Sequence, residues 1–361
     1  QDVNPAIVHV ASGREWRGGQ RQVWLLAAEL GRSGAEQVVV TGTGTELARR
    51  LQSSGVRVRT STWQAGLDPR VLWPILQELR RPHTVLHAHD AHSLTLAGVC
   101  STLTGAPLVV TRRVTFPLRR HGFWLRARRV IAISEAVREA LVADGVSPER
   151  IVLIPSAVDI EGAPDPGRAS VRHALGLPEN GRIAVSLAAL TPEKDQSTLV
   201  AAAALLVRDL PDLHWVIAGE GPLRGLLEQR IAKAGLTDRF HLVGQLPDPH
   251  TMLAGADVCV LSSTSEGLGS SILAAMALGV PVVATRVGGI PDLLGSGAGL
   301  MVSSGDASGF AAAVRRVLTE PGVRENLTGI GRSEASRFSV PGMAERVLGV
   351  YRSCVHSLDG S

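Results

Sequence analysis

Lysine is almost missing from this chain. Of its 37 basic residues only Lys194 and Lys233 are lysine; the rest are arginine. There is one tyrosine, aromatic residues make up 3% of the 361 positions, and cysteine occurs three times. Cys100, Cys259 and Cys354 are odd in number and far apart. That excludes a zinc cluster of familiar spacing and suits a reducing compartment. No apolar run reaches the roughly 18 uncharged residues a membrane span requires. Gln1 to Pro5 lack the basic-then-apolar pattern of a secretory signal, so a cytoplasmic location is expected.

Much of what is present alternates. Short β-branched runs begin near Ile7, Gln37, Thr84, Leu108, Val130 and Ile151, then again near Ile183, His214, Phe240, Val258, Val280 and Gly299. Helix-length amphipathic segments separate them. Such alternation predicts parallel sheets covered on both faces, that is, two doubly wound α/β domains. The Pro-, Gly- and Asp-rich stretch 156–167 is the expected joint. Domains are therefore expected at 1–160 and 161–339, with the last helix, within 340–361, returning to the first. Ligands of such sheets bind at the carboxyl ends of strands, which predicts a cleft between the two domains as the active site.

Charge is divided unequally. Residues 1–160 carry 20 Arg against 13 acids, whereas the remainder is net negative. Within the basic half, the segment 118–129 mixes Arg119, Arg120, Arg126, Arg128 and Arg129 with Phe123 and Trp124. That composition fits either a solvated face or a contact with anionic lipid, Trp124 lying at the interface. No nucleic-acid-binding motif accompanies these charges, so nucleic acid is not an expected partner.

The chemistry-bearing residues fall where strands end. Gly18-Gly19 follows the first strand and opens a helix, allowing close backbone approach to an anion, or simply a turn. His87-Ala-His89-Asp90 ends another strand, and alternation puts His87 and His89 on one face. Their readings are hydrogen bonding to a hydroxylated substrate, positioning of Asp90, or a structural strand end. A metal is not expected. Arg112 and Arg113 end the next strand and could clamp a phosphate.

In the second half, Lys194 follows the first strand. A sequence that otherwise chooses arginine is expected to keep lysine where a compact ammonium must meet an anion. Gly219 to Pro222 forms a tight turn after a later strand. Glu266 then precedes Gly267, Leu268, Gly269, Ser270 and Ser271 at a helix start. Amides there would face an anion or sugar hydroxyls, and small residues keep the approach open.

Taken together, Gly18-Gly19, His87 to Asp90, Ile154 to Asp159, Leu190 to Lys194, Ala218 to Pro222 and the stretch 265–291 resemble the retaining nucleotide-sugar glycosyltransferases of family 4, which have the GT-B fold of two Rossmann-like domains. The resemblance implies an enzyme that moves a sugar from a nucleotide diphosphate donor to a cell-envelope glycan or lipid-linked acceptor of the lipopolysaccharide type. It further implies that Glu266 bonds the donor sugar and Lys194 neutralises the diphosphate. Gly267 to Ser271 and Gly219 would line the donor, with Gln245 and Leu246 reading the base and Gly18-Gly19 closing over the phosphates. His89, Asp90 and Arg113 would face the acceptor.

No cofactor is implied, and no Asp-x-Asp pair suggests a metal. Two positions depart from the pattern. Ala189 stands where an arginine is common, and Ala274 replaces the acid that holds the ribose. Those departures keep a catalytically impaired pseudo-glycosyltransferase in view, and the shared fold keeps, last, a nucleotide-sugar 2-epimerase, whose usual additional catalytic acids are not evident.

Overall fold

A computed structural model describes residues 4–63, 68–118, 122–159, 167–246 and 248–356. It divides into two units. One contains the residues up to Ala157 together with those from Phe338 onward, and the other is Val158–Arg337.

The first unit is built on a seven-stranded parallel sheet. Its strands are β1 Ala6–Ala11, β2 Gln37–Gly42, β3 Val58–Ser61, β4 Thr84–Ala88, β5 Leu108–Arg112, β6 Arg129–Ala132 and β7 Ile151–Leu153. They lie in the order β3-β2-β1-β4-β5-β6-β7. The second unit has six: β8 Arg182–Leu187, β9 Leu213–Ala218, β10 Phe240–Gly244, β11 Val258–Leu261, β12 Val282–Thr285 and β13 Leu300–Val302. Their order is β10-β9-β8-β11-β12-β13.

Each sheet thus reverses its winding once, between β1 and β4 in the first and between β8 and β11 in the second. At such a switch point the crossover helices leave toward opposite faces and a crevice opens beyond the strand ends. Continuous apolar strands such as Ile183 to Val185 and Val258 to Val260 are fully buried, as sheets covered on both faces require.

Twelve of the strands coincide with the apolar runs legible in sequence. The thirteenth, β3, reads Val-Arg-Thr-Ser and is an edge strand with two exposed residues. Its polarity follows from that position, since an edge strand buries little.

The helix Val340–His356 packs into the first unit. Met343, Val347, Val350 and Tyr351 join Ile7, Leu26, Val85 and Ile131 in one apolar cluster. Gln22, near the start of the helix Gly18–Arg32, ties down Ala157 through both its backbone N–H, at 2.9 Å, and its carbonyl, at 2.8 Å. Among the described residues no helix is long and apolar enough to cross a membrane.

Candidate functional site

Two groups of sequence-singled residues assemble, one at the switch point of each sheet.

In the first unit, register pairs His9 of β1 with His87 of β4. His87 and His89 lie on one face with ring centroids 3.9 Å apart. His9 Nδ1 is 2.9 Å from His89 Nε2. His87 uses both ring nitrogens, one with the Tyr351 hydroxyl at 2.6 Å and the other with Thr111 Oγ1 at 2.8 Å. Sequence reasoning missed His9 and Tyr351. The alternation of β1 beside β4 could have suggested His9, but nothing local links Tyr351 to a residue 264 positions earlier.

Burial pushes His9 from its ordinary 6.5 to about 4. His87 and His89 fall well below the usual histidine range, first through burial, then because protonating one histidine of the group disfavours protonating the next, and last through the charge of Arg113. The trio is therefore neutral near pH 7. Nitrogens of all three approach within 4.8 Å, as metal ligands would. However, His87 is bonded at both nitrogens, His9 and His89 bond each other, and the guanidinium that disfavours their protonation would also repel a cation. A hydrogen-bonded brace fits these residues better.

The linkage sign follows. An unfolded chain protonates these histidines near 6.5, whereas the folded one resists until well below that. Stability should fall as pH drops from about 6.5 toward 4, by up to about 1.4 kcal/mol per pH unit for each histidine. Urea midpoints measured across that range check this, and a flat profile would contradict neutral burial.

Asp90 is committed to the loop. It caps the helix Ala91–Thr104, accepting from Ser93 N at 2.8 Å, and also accepts from Ser12 N at 2.7 Å and from the Ser12 hydroxyl. Both oxygens are engaged, so Asp90 holds the ends of β1 and β4 together.

Arg113 runs beside the opening of the helix Gly18–Arg32, where a Cβ on Gly19 would lie 3.7 Å from Arg113 Cδ. Burial lowers its guanidinium to about 10, with Asp90 pulling the other way, and it stays charged. Its Nε and His89 Nδ1 are buried with no partner among the described residues. Arg112 turns elsewhere, donating to the carbonyls of Val114 (3.0 Å) and Phe116 and lying over the Trp124 ring at 5.1 Å. The two arginines therefore do not form a paired clamp.

Trp124 is likewise corrected. It is 6% exposed and packed inward beneath Arg112, so it cannot rest at a membrane interface. Arg126 and Arg128 are exposed and Arg129 is half-buried, whereas Arg119 and Arg120 lie outside the described residues. The exposed apolar side chains near this segment are Val114, Phe116 and Leu125.

In the second unit the loops after β8 and β11 meet. Lys194 closes a short turn, Pro192–Lys194, and Asp195 follows in the left-handed region at φ 42°. That conformation is uncommon for a residue with a Cβ, and it is braced. The Ser262 hydroxyl lies 2.9 Å from the Lys194 carbonyl and 2.8 Å from that of Asp195. Thr264 N donates to the Glu193 carbonyl at 2.8 Å. Lys194 Nζ then stands 2.5 Å from Glu266 Oε2, which also accepts from Ser263 Oγ at 3.2 Å.

Small residues hold this arrangement by close approach. Gly288 has φ 52°, and a Cβ there would sit 1.8 Å from the Glu266 carbonyl oxygen. A Cβ on Gly219 would come within 2.0 Å of the Ala188 carbonyl oxygen, and one on Gly221 within 2.3 Å of that of Leu190. Gly269, at φ 96°, turns the chain into the helix Ser270–Leu278, whose first amides lack intrahelical partners. Leu268 is 2% exposed, its side chain buried in the core. Gln245 is exposed and Leu246 half-buried just beyond β10, at the edge of the sheet.

The two departures are visible as well. Ala274 is buried on the helix after Glu266. Ala189 offers its carbonyl to the Gln196 amide at 2.8 Å.

An ammonium, a carboxylate and a helix N-terminus at one switch point are suited to an anion attached to a polyol. Comparison with known proteins agrees. Residues 168–334 match the family described as Glycosyl transferases group 1, and residues 16–161 match Glycosyltransferase Family 4. A D-inositol 3-phosphate glycosyltransferase of Geodermatophilus obscurus is 31% identical over 312 residues, 76% of this chain and 68% of that one. The chain belongs to the group 1 glycosyltransferases.

Another relative matches over less. The 2-deoxystreptamine glucosyltransferase of Streptomyces kanamyceticus is 32% identical over 207 residues, 54% of this chain, and the match spans about half (52%) of that relative's length. Among solved structures, Anabaena Alr3699/HepE in complex with UDP-glucose superposes with a TM-score of 0.84 at 22% identity, covering 96% of this chain and 99% of that one. This group 1 glycosyltransferase therefore has the GT-B fold that its two sheets suggest.

Proposed function

We propose that the protein is a retaining glycosyltransferase that moves a sugar from a nucleotide diphosphate donor to a hydroxyl of a cell-envelope glycan or lipid-linked acceptor. The observation that carries this is the meeting of Lys194 and Glu266, 2.5 Å apart, beside the start of the helix Ser270–Leu278. Lys194 neutralises the leaving diphosphate together with the helix amides, charge stabilisation being the largest source of rate in such a centre. Glu266 takes hydrogen bonds from the donor sugar. Gly219, Gln245 and Leu246 are assigned to the donor.

His89 and Arg113 are the residues assigned to the acceptor. No nucleophile is assigned. The departing phosphate oxygen accepts the acceptor's proton on the face it leaves, which retains configuration. No cofactor or metal forms part of the proposal.

Ala274 favours a second reading, an impaired enzyme that binds nucleotide sugars without turning them over. One assay separates the two. Purified protein is given UDP-, ADP- and GDP-sugars with acceptors that include polyols of the kind named for its relatives, 2-deoxystreptamine and D-inositol 3-phosphate. Transfer is expected, undiminished by EDTA, and Ala274→Glu should lower the donor KM about tenfold or more by restoring a charged hydrogen bond worth about 1.5–3 kcal/mol. Donor binding without turnover in wild type would support the impaired enzyme.

A cytoplasmic protein acting at an anionic membrane surface completes the proposal. Phe116 and Leu125 are its apolar contacts in place of Trp124, with Arg126, Arg128 and Arg129 as its charges. Vesicles containing 30% phosphatidylglycerol should recruit it at low salt, and Phe116→Ser with Leu125→Ser should abolish recruitment. Failure of wild type to sediment with them would remove the membrane from the proposal.

A further inference from the structure

Glu266 and Lys194 are coupled as well as adjacent. Their side chains are only 15% and 20% exposed, so their charges are screened less than those of a surface pair. Both of the carboxylate's side-chain bonds, from Lys194 and from Ser263, fall on Oε2, and Oε1 receives none among the described residues. The proposed function brings a diphosphate to the same ammonium.

Two acceptors on one ammonium lie about 4.6 Å apart, which puts phosphate and carboxylate in mutual repulsion. What relieves it depends on the ligand. A nucleotide sugar carries hydroxyls that can donate to the carboxylate, Oε1 included. A nucleoside diphosphate has lost its sugar and offers no such donors at that end.

We propose that Glu266 is a specificity residue of this chain against its own product, penalising the nucleoside diphosphate relative to the nucleotide sugar and so promoting product release. The inference rests on the donor site described above and deepens it. A sugar-binding carboxylate that did nothing else would, when neutralised, weaken the nucleotide sugar and leave the diphosphate unchanged. A discriminating one strengthens the diphosphate when neutralised, so the product's affinity separates the two roles.

The test measures binding by calorimetry for UDP, ADP and GDP and for their glucose esters. Wild type is compared with Glu266→Gln, which removes the charge at constant shape, and Glu266→Asp, which keeps it. Glu266→Ala serves as a second neutral variant should Gln disturb the loop. Glu266→Gln is expected to bind the preferred diphosphate about tenfold more tightly, and the glucose ester no more tightly, than wild type. Glu266→Asp should show no gain. The inhibition constant of the diphosphate in the transfer assay should fall by the same factor.

If wild type binds a diphosphate and neither neutral variant tightens it, the discrimination is wrong while the donor site stands. If wild type binds none of the three diphosphates and none of their glucose esters, the donor site itself is wrong and the inference goes with it.

Discussion

Replacing Lys194 with methionine should lower kcat/KM by about 100- to 1,000-fold, the cost typical of removing one preorganised charge from a leaving group. Methionine keeps the length and apolar stem of the side chain, so the turn braced by Ser262 should persist. A folded variant with unchanged secondary structure is therefore expected. Most of the loss should appear in kcat, because charge on the diphosphate grows as the bond to the sugar breaks. Lys194→Arg should recover only part, since a planar guanidinium cannot meet Glu266 and a phosphate from the ammonium's compact position. Steady-state kinetics with saturating acceptor read both effects. Activity within fivefold of wild type in Lys194→Met would move the neutralising charge to another residue.

The second large effect is expected at Gly288. Alanine there meets two penalties, a left-handed φ of 52° and a Cβ 1.8 Å from the Glu266 carbonyl oxygen. The first costs about 1 kcal/mol. The second forces the backbone of a packed loop to shift, bringing the total to about 3 kcal/mol or more. Gly34 supplies the comparison, having φ 76° with nothing within 4 Å of an added Cβ. Gly34→Ala should therefore cost only the first part. Urea denaturation of both variants separates strain from close approach, and activity should be lost with Gly288→Ala alone because Glu266 is displaced with the loop. Equal destabilisation of the two variants would refute the close-approach argument.

Legibility in the sequence followed physical rules. Fully buried parallel strands must be apolar throughout, so runs such as Val258 to Leu261 announce themselves, whereas the edge strand beginning at Val58 could be polar and passed unseen. Lys194 stood out because the chain so seldom uses lysine. The small residues after Glu266 signalled close approach, although the residue most tightly pressed on it, Gly288, comes from the following strand's loop.

Trp124 was misread for a related reason. Its neighbours are arginines, but a short 3-10 turn has no long periodicity to show which way a ring faces, and Arg112 covers it from another segment. The bonding of Asp90 to Ser12 and of His87 to Tyr351 depends on strand order and on the returning helix. Neither is encoded in local spacing.

That returning helix has a consequence for biosynthesis. The first unit is discontinuous: residues 158–337 are inserted between β7 and the segment that completes its core. A ribosome moving from the amino terminus finishes the seven strands well before it supplies Val347, Val350 and Tyr351. Until then, apolar surface around Ile7, Val85 and Ile131 has no cover, while the contiguous second unit can close first. The half of the molecule made earliest is thus the last to mature, and interrupted synthesis would leave its sheet exposed to self-association.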